Sequence, residues 1–256
     1  MWIRTKAIIL FSSPVGESDL LLVLFTEKLG KIRAMAKGAL RSRKRFAGIL
    51  LNLNLVRIEL IPSRRSESGY LLNLAEPVKS RFSLSKEPER LASAYALAEL
   101  IEKATPELAP DPALFHLLEA SLDQLGDSKN FRETLFYFLL QILDQLGYPP
   151  SLDCCASCGK KIAAGASRCF FSVNKGGLVC EDCRVKNKNL AQEIPAGFGR
   201  TLRALKRSDP AKASRVRISN KDWRLGLELF RDFISWHPGK SMLSLGFLKE
   251  LAAEKK

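Results

Sequence analysis

Two C-x-x-C pairs, Cys155-Ala-Ser-Cys158 and Cys180-Glu-Asp-Cys183, stand 21 residues apart. Each pair sets two thiols on one tight turn, and four thiolates at about 2.3 Å close a tetrahedral zinc site. Residues 155–183 must then fold back on themselves. Gly159 after the first pair and Gly176-Gly177 before the second suit the sharp turns such knuckles need. The expectation is one structural Zn2+ per chain, held by Cys155, Cys158, Cys180 and Cys183. The bland alternative is four buried free thiols, or a site that has partly decayed. Cys154 adjoins Cys155 and is able to replace it as a ligand, whereas Cys169, alone in Arg168-Cys169-Phe170-Phe171, reads as a packed apolar residue.

A catalytic zinc site keeps an open position, usually with His or carboxylate ligands, and a deaminase shows H-x-E ahead of P-C-x-x-C. The two histidines, His116 and His237, stand in no such register, and each reads as an ordinary, partly buried residue. There is no phosphate loop, nucleophile elbow or dinucleotide glycine fingerprint. The chain reads as a binding protein and not an enzyme.

Around the cysteines the pattern changes twice. The first 75 residues alternate at period two, with candidate strands Ile3–Phe11, Leu20–Thr26, Lys31–Lys37, Leu51–Ile61 and Gly69–Ala75. In the third, Ile32, Ala34 and Ala36 face one way and Arg33, Met35 and Lys37 the other. Five short strands in that length suggest a small closed barrel, of which the OB-fold is the five-stranded form; pattern alone also admits an SH3-like barrel or a sandwich fragment. After Pro77 the period becomes helical, with helices expected over Lys86–Lys103, from Asp111 with Pro112 in the first turn, and from Phe131 to Leu146, packed as a small bundle. Helical periodicity returns at Ala196–Arg207, Lys221–Trp236 and Lys240–Ala253. The expected class is α+β: a five-stranded OB-fold barrel (1–77), a helical domain in two parts (78–150 and 188–256), and an embedded zinc-ribbon-like module (151–187).

Charge carries the functional argument. Lys and Arg total 41 against 27 acids, a net +14, which favours a polyanionic partner. Residues 1–75 hold 13 bases and 5 acids, 76–150 hold 7 and 12, and 151–256 hold 21 and 10. The excess therefore sits at both ends of the chain. In the first region, Arg41, Arg43, Lys44 and Arg45 follow the third strand directly, and Arg33 and Lys37 extend the stripe along it. In an OB barrel the faces of strands two and three form the nucleic-acid groove. Phe46 is either a base-stacking ring or a core anchor. A second cluster lies in 200–224, with Arg200, Arg203, Lys206 and Arg207 at its start, of which Arg200, Arg203 and Arg207 recur at helical spacing; it suits DNA phosphates, an acidic peptide, or merely solvent. No stretch approaches the roughly 18 apolar residues of a membrane span, and the apolar run Ala7–Phe11 is short for a signal peptide. The expected location is the cytoplasm.

The residues resemble a known family, the bacterial RecO recombination mediators. Leu24-Phe25-Thr26-Glu27-Lys28-Leu29-Gly30-Lys31-Ile32-Arg33-Ala34-Met35-Ala36-Lys37-Gly38-Ala39 is similar to the family's F-T-x-x-x-G-[KR] to A-[KR]-G stretch. Gly16-Glu17-Ser18-Asp19 looks like its approach to strand two. Leu146-Gly147-Tyr148-Pro149, Phe171-Ser172-Val173 and the paired cysteines look like its helical domain and zinc module. The resemblance implies an OB-fold, a helical domain and a zinc module. It also implies binding of single- and double-stranded DNA at the nucleoid, annealing of complementary strands, contact with the C-terminal tail of single-strand binding protein, and loading of RecA together with RecR. A zinc-ribbon interaction scaffold or RNA-binding module is the rival reading, and a zinc hydrolase a weaker third.

Overall fold

Alternation in the first 75 residues becomes a barrel because only one side of each strand is apolar enough to be enclosed. A computed structural model describes residues 2–42, 45–46, 48–63, 69–127, 130–163, 165–186, 191–209, 213 and 216–254. The strands are β1 (Ile3–Val15), β2 (Asp19–Thr26), β3 (Gly30–Ala36), β4 (Leu55–Pro62) and β5 (Tyr70–Lys79), closed in the order β1-β2-β3-β5-β4. Neighbours run antiparallel except β3 and β5, which meet in parallel at Met35 and Leu71. This is the expected five-stranded OB-type barrel. Ala7, Ile9, Leu22, Leu24, Ile32, Ala34, Ala36, Val56, Ile58 and Leu60 fill it. Each large aliphatic residue contributes roughly 1.5–3 kcal/mol by leaving water, and the alanines fit the narrow interior. A register shift between Ile9 and Phe11 bends long β1, so that it pairs with β4 at one end and β2 at the other.

Two strand bounds differ from expectation. β4 begins at Leu55 and not at residue 51, because Leu53, at φ 71°, turns the chain and donates its N–H to the Ile9 carbonyl at 2.7 Å. β5 runs through Pro77 to Lys79. Pro77 stands opposite Val56 of β4, next to a register shift between Leu55 and Val56, the kind of irregular position at which a strand tolerates proline.

The chain divides into two compact units, Met1–Gly126 and Asp127–Lys256. In the first, helices α1 (Pro88–Ala104) and α2 (Pro112–Asp127) accompany the barrel. The Asp111 carboxylate caps α2 by accepting the Leu114 N–H at 2.9 Å. α1 packs on β1 and β2, and its buried Ala92, Ala94, Ala96 and Ala98 let it lie close. Phe115 of α2 lies 6.0 Å from Phe25. Buried Arg81 joins barrel to helix, donating to the Leu53 carbonyl at 2.7 Å and to Asp123 at 2.6 Å. The three helices expected as one bundle are thus shared out, two with the barrel and the third in the other unit. Helical period marks an apolar face but not what covers it.

The second unit holds α3 (Phe131–Gln145), β6 (Cys169–Ser172), β7 (Gly177–Val179), α4 (Glu181–Lys186), β8 (Gln192–Ile194), α5 (Ala196–Arg207), α6 (Asn220–Trp236) and α7 (Leu243–Glu254). Phe136 of α3 packs against Trp223, Phe230 and Phe198 at 5.0, 5.1 and 6.2 Å between ring centres. Gly226 makes this possible, since a Cβ there would stand 2.3 Å from the Phe136 ring. β6 is the centre of a three-stranded sheet with β7 and β8, and the cysteines lie beside it.

Candidate metal centre and nucleic-acid surface

The first C-x-x-C pair sits on a tight turn: Cys155 donates its N–H to the Lys160 carbonyl, and Gly159, at φ 74°, donates back to Cys155, both at 2.8 Å. The second pair begins where β7 ends, with Cys183 in the first turn of α4. The Sγ atoms of Cys155, Cys158, Cys180 and Cys183 lie within 4.8 Å of one another and can hold a metal ion. Cys158 and Cys180 are 3.8 Å apart, about the edge of a tetrahedron with 2.3 Å metal–sulfur bonds. The donor set therefore fits zinc. Burial opposes the Cys155 thiolate, but the Cys180, Cys158 and Ser157 N–H groups outweigh it and bring that thiol down to about 6. Cys183, hydrogen-bonded by the Cys158 and Cys180 sulfurs, is pushed up to about 12.

Cys155, and not Cys154, belongs to the cluster. The backbone of Cys154 pairs with Lys161, and its carbonyl accepts the Ser151 hydroxyl at 2.9 Å. Cys169 is buried against Gly199, where an added Cβ would lie 3.0 Å from its sulfur, and burial raises its thiol. His237 bonds the Val173 carbonyl at 2.8 Å and His116 lies between Glu27 and Glu119; neither approaches the cysteines as a ligand.

Of the first cluster, Arg33 lies on the outer face of β3, and Lys37, Arg41 and Arg45 lie beyond its end. Arg33 meets Glu107 at 3.1 Å, Lys37 meets Asp19 at 2.7 Å and Arg41 meets Glu17 at 2.8 Å. The Gly38 backbone N–H, and after it Lys37, hold the Asp19 carboxyl down to about 2. Arg45 donates to the Lys37 carbonyl and lies 4.4 Å over the Phe46 ring. Phe46 is 3% exposed and belongs to the barrel core, so it is an anchor and not a stacking platform. Arg43 and Lys44 lie outside the described residues. The carboxylate partners are not announced by the sequence. Asp19 and Glu17 stand in the Gly16–Asp19 stretch, close to strand two, but nothing signals that Glu107, 74 positions away, meets Arg33.

The second cluster is brought together along α5, largely for another purpose. Arg203 donates to the Leu152 carbonyl at 2.6 Å, Lys206 to Pro150 at 2.9 Å, and Arg207 to Asp153 at 2.7 Å. These three tie the chain entering the first C-x-x-C turn to α5. Arg200 is exposed.

The N-terminal family model of recombination protein O matches residues 1–81, and the C-terminal model matches 85–246. The chain belongs to the RecO family. RecO relatives, each named DNA repair protein RecO, match it almost end to end. That of Syntrophobacter fumaroxidans is 33% identical over 96% of this chain and 97% of its own. Those of Desulfatibacillum aliphaticivorans and Geobacter metallireducens are 32% and 31% identical, each over 97% of both chains. The two matched ranges cover the barrel, the cysteine module and the helices up to the start of α7. Among the described residues, no helix is long and apolar enough to cross a membrane.

Proposed function

We propose that the chain is a DNA-repair and recombination mediator without catalytic turnover, working in the cytoplasm at the nucleoid. It binds single- and double-stranded DNA, anneals complementary strands and, with RecR, helps load RecA onto DNA coated by single-strand binding protein. The observation that carries this reading is the row of cations Arg33, Lys37, Arg41 and Arg45 on and beyond β3 of an OB-type barrel, continued in sequence by Arg43 and Lys44. The cation of each ion pair at Arg33, Lys37 and Arg41 is exposed, and surface pairs are worth about 0.2–1 kcal/mol, so phosphates displace the carboxylates at little cost. Basic surface between two strands screens their repulsion, and annealing follows.

Zinc at Cys155, Cys158, Cys180 and Cys183 is structural in this reading: it closes the module and leaves no position for substrate. Arg200, exposed and ahead of the three bracing cations, is the member of the second cluster best placed to meet DNA or the acidic tail of single-strand binding protein.

Replacing Arg41, Arg43, Lys44 and Arg45 with Ala tests the proposal by fluorescence anisotropy on labelled oligonucleotides. Affinity should fall regardless of base sequence, and the dependence of log affinity on log salt should flatten by about 0.7 per lost contact on single strands. Unchanged affinity and slope would remove the loop from the interface. Strand annealing separates a mediator from an interaction scaffold, which should not accelerate it.

A further inference from the structure

The barrel carries a second row of cations, on the face of β1 and β4. Outward positions along this edge alternate as Trp2, just before β1, then Arg4, Lys6 and Ile8. Ile8 is fully buried, where α1 packs on the strand, while Trp2 is 58% exposed. β4 sets Glu59 opposite Arg4 and Arg57 opposite Lys6. Glu59 is taken up by Arg4 and Asn73, each at 2.7 Å. Among the described residues, Arg57 forms an ion pair with Glu76, at 3.6 Å.

Lys6 has no ion pair among the described residues, and directly opposed like charges destabilise an antiparallel pair. The turn between β2 and β3 adds a further cation. Glu27 donates its N–H to the Lys6 carbonyl at 3.1 Å and Lys28 donates its backbone N–H to the Thr5 hydroxyl at 3.3 Å, which ties the turn carrying exposed Lys28 to β1 at Thr5 and Lys6. Lys28 too has no ion pair among the described residues. The contrast with β3 is direct, since there Arg33, Lys37 and Arg41 each hold a carboxylate.

We infer that the outer face of β1 and β4 is a second binding track for single-stranded nucleic acid, with Lys6, Lys28 and Arg57 meeting phosphates and Trp2 stacking on a base. Two cations without an ion pair among the described residues, Lys6 and Lys28, a third in a long, exposed pair, Arg57 with Glu76, and an exposed indole combine the two elements by which single strands are held without sequence preference. Successive outward residues on a strand are about 6.8 Å apart, which lets neighbouring side chains follow a stretched backbone. A duplex keeps its bases stacked and offers none to Trp2. The inference rests on the reading of the chain as a nucleic-acid binder, and gives it a physical basis for annealing: two tracks on one barrel hold two strands at once.

The test uses the full chain with Trp236→Phe, which removes the other exposed indole; Trp223 is buried. Oligo-dT should quench the remaining exposed emission saturably, and heparin, a polyanion without bases, should not. Trp2→Ala should weaken oligo-dT binding about tenfold, within the range of base stacking on an aromatic ring. Lys6→Ala/Lys28→Ala/Arg57→Ala should flatten the salt slope by about 2, at about 0.7 per phosphate, and slow annealing. If this triple variant keeps wild-type affinity, slope and annealing while Arg33→Ala/Lys37→Ala/Arg41→Ala loses binding, the second track is refuted and the β3 surface stands. If neither variant loses binding, the barrel is not the DNA surface and both readings fall. Equal quenching by heparin or by duplex overturns the stacking on Trp2.

Discussion

Gly30→Ala should destabilise the barrel far more than an ordinary turn substitution. Gly30 opens β3 at φ 69°, a left-handed conformation that costs a residue with a Cβ about 1–2 kcal/mol. The larger cost is contact: an added Cβ would lie 2.1 Å from the Ala109 carbonyl oxygen and 2.5 Å from its carbon. Backbone on the other side has to move, and overpacking of this kind costs typically about 1–3 kcal/mol. The same displacement pulls on the Leu108 N–H, which donates to the Lys31 carbonyl at 2.9 Å, a bond worth about 1 kcal/mol. Together these cost about 3–6 kcal/mol. Gly16→Ala is the control, since Gly16 has φ 59° and nothing within 4 Å of an added Cβ, and should cost only the conformational part, about 1–2 kcal/mol. Hydrogen exchange of the β2 and β3 amides under native conditions, with urea unfolding alongside, reads both. Equal losses in the two variants would refute the steric argument. Because the segment that would shift includes Glu107, Gly30→Ala should also loosen its pair with Arg33 and raise the share of Arg33 free for phosphate.

Chelation of the metal should lower the stability of the second unit, because a structural zinc contributes folding free energy directly; elemental analysis of protein purified without added metal should show one zinc per chain, and Cys155→Ser should lose it. Asp19→Asn should matter only where the carboxylate is ionised. The Asp19 carboxyl is held at about 2 against an ordinary 3.8, so its stabilisation is full above about pH 4 and is lost as pH falls through about 2. The difference between wild type and variant in a pH-dependent unfolding series should close over that interval, and a difference that persists at the acid end contradicts the assignment. Arg203→Ala should leave the Leu152 carbonyl without this partner and cost about 1–3 kcal/mol, seen as faster exchange across residues 150–163; a loss of DNA affinity with no change in exchange would return Arg203 to the interface.

Much of the fold and of the metal centre is legible in one dimension because the signals are local. Ile32, Ala34 and Ala36 are buried and Arg33 is exposed, as period two requires, and Cys155 to Cys183 meet as their spacing demands. Asp111 capping Pro112–Asp127 and Gly147 at φ 84° after α3 are readable from residue type. Phe46 is not, because a ring beside a basic loop has the same sequence whether it enters the barrel or faces DNA; only closure of the barrel over it decides. Arg203, Lys206 and Arg207 repeat at helical spacing like any basic helix face, and their targets lie about fifty residues earlier in the chain.

Element types, the four thiols and the sign of the charge at each end follow from the amino-acid order without further help, since period, spacing and composition are properties of neighbours along the chain. Which cations are already neutralised and which stand open is a matter of three dimensions. Arg33 is answered by Glu107 and Lys6 is opposed by Arg57, and both pairings exist only because barrel closure and the packing of the segment after α1 bring distant residues within a few ångströms, the range over which exposed charges interact strongly in water.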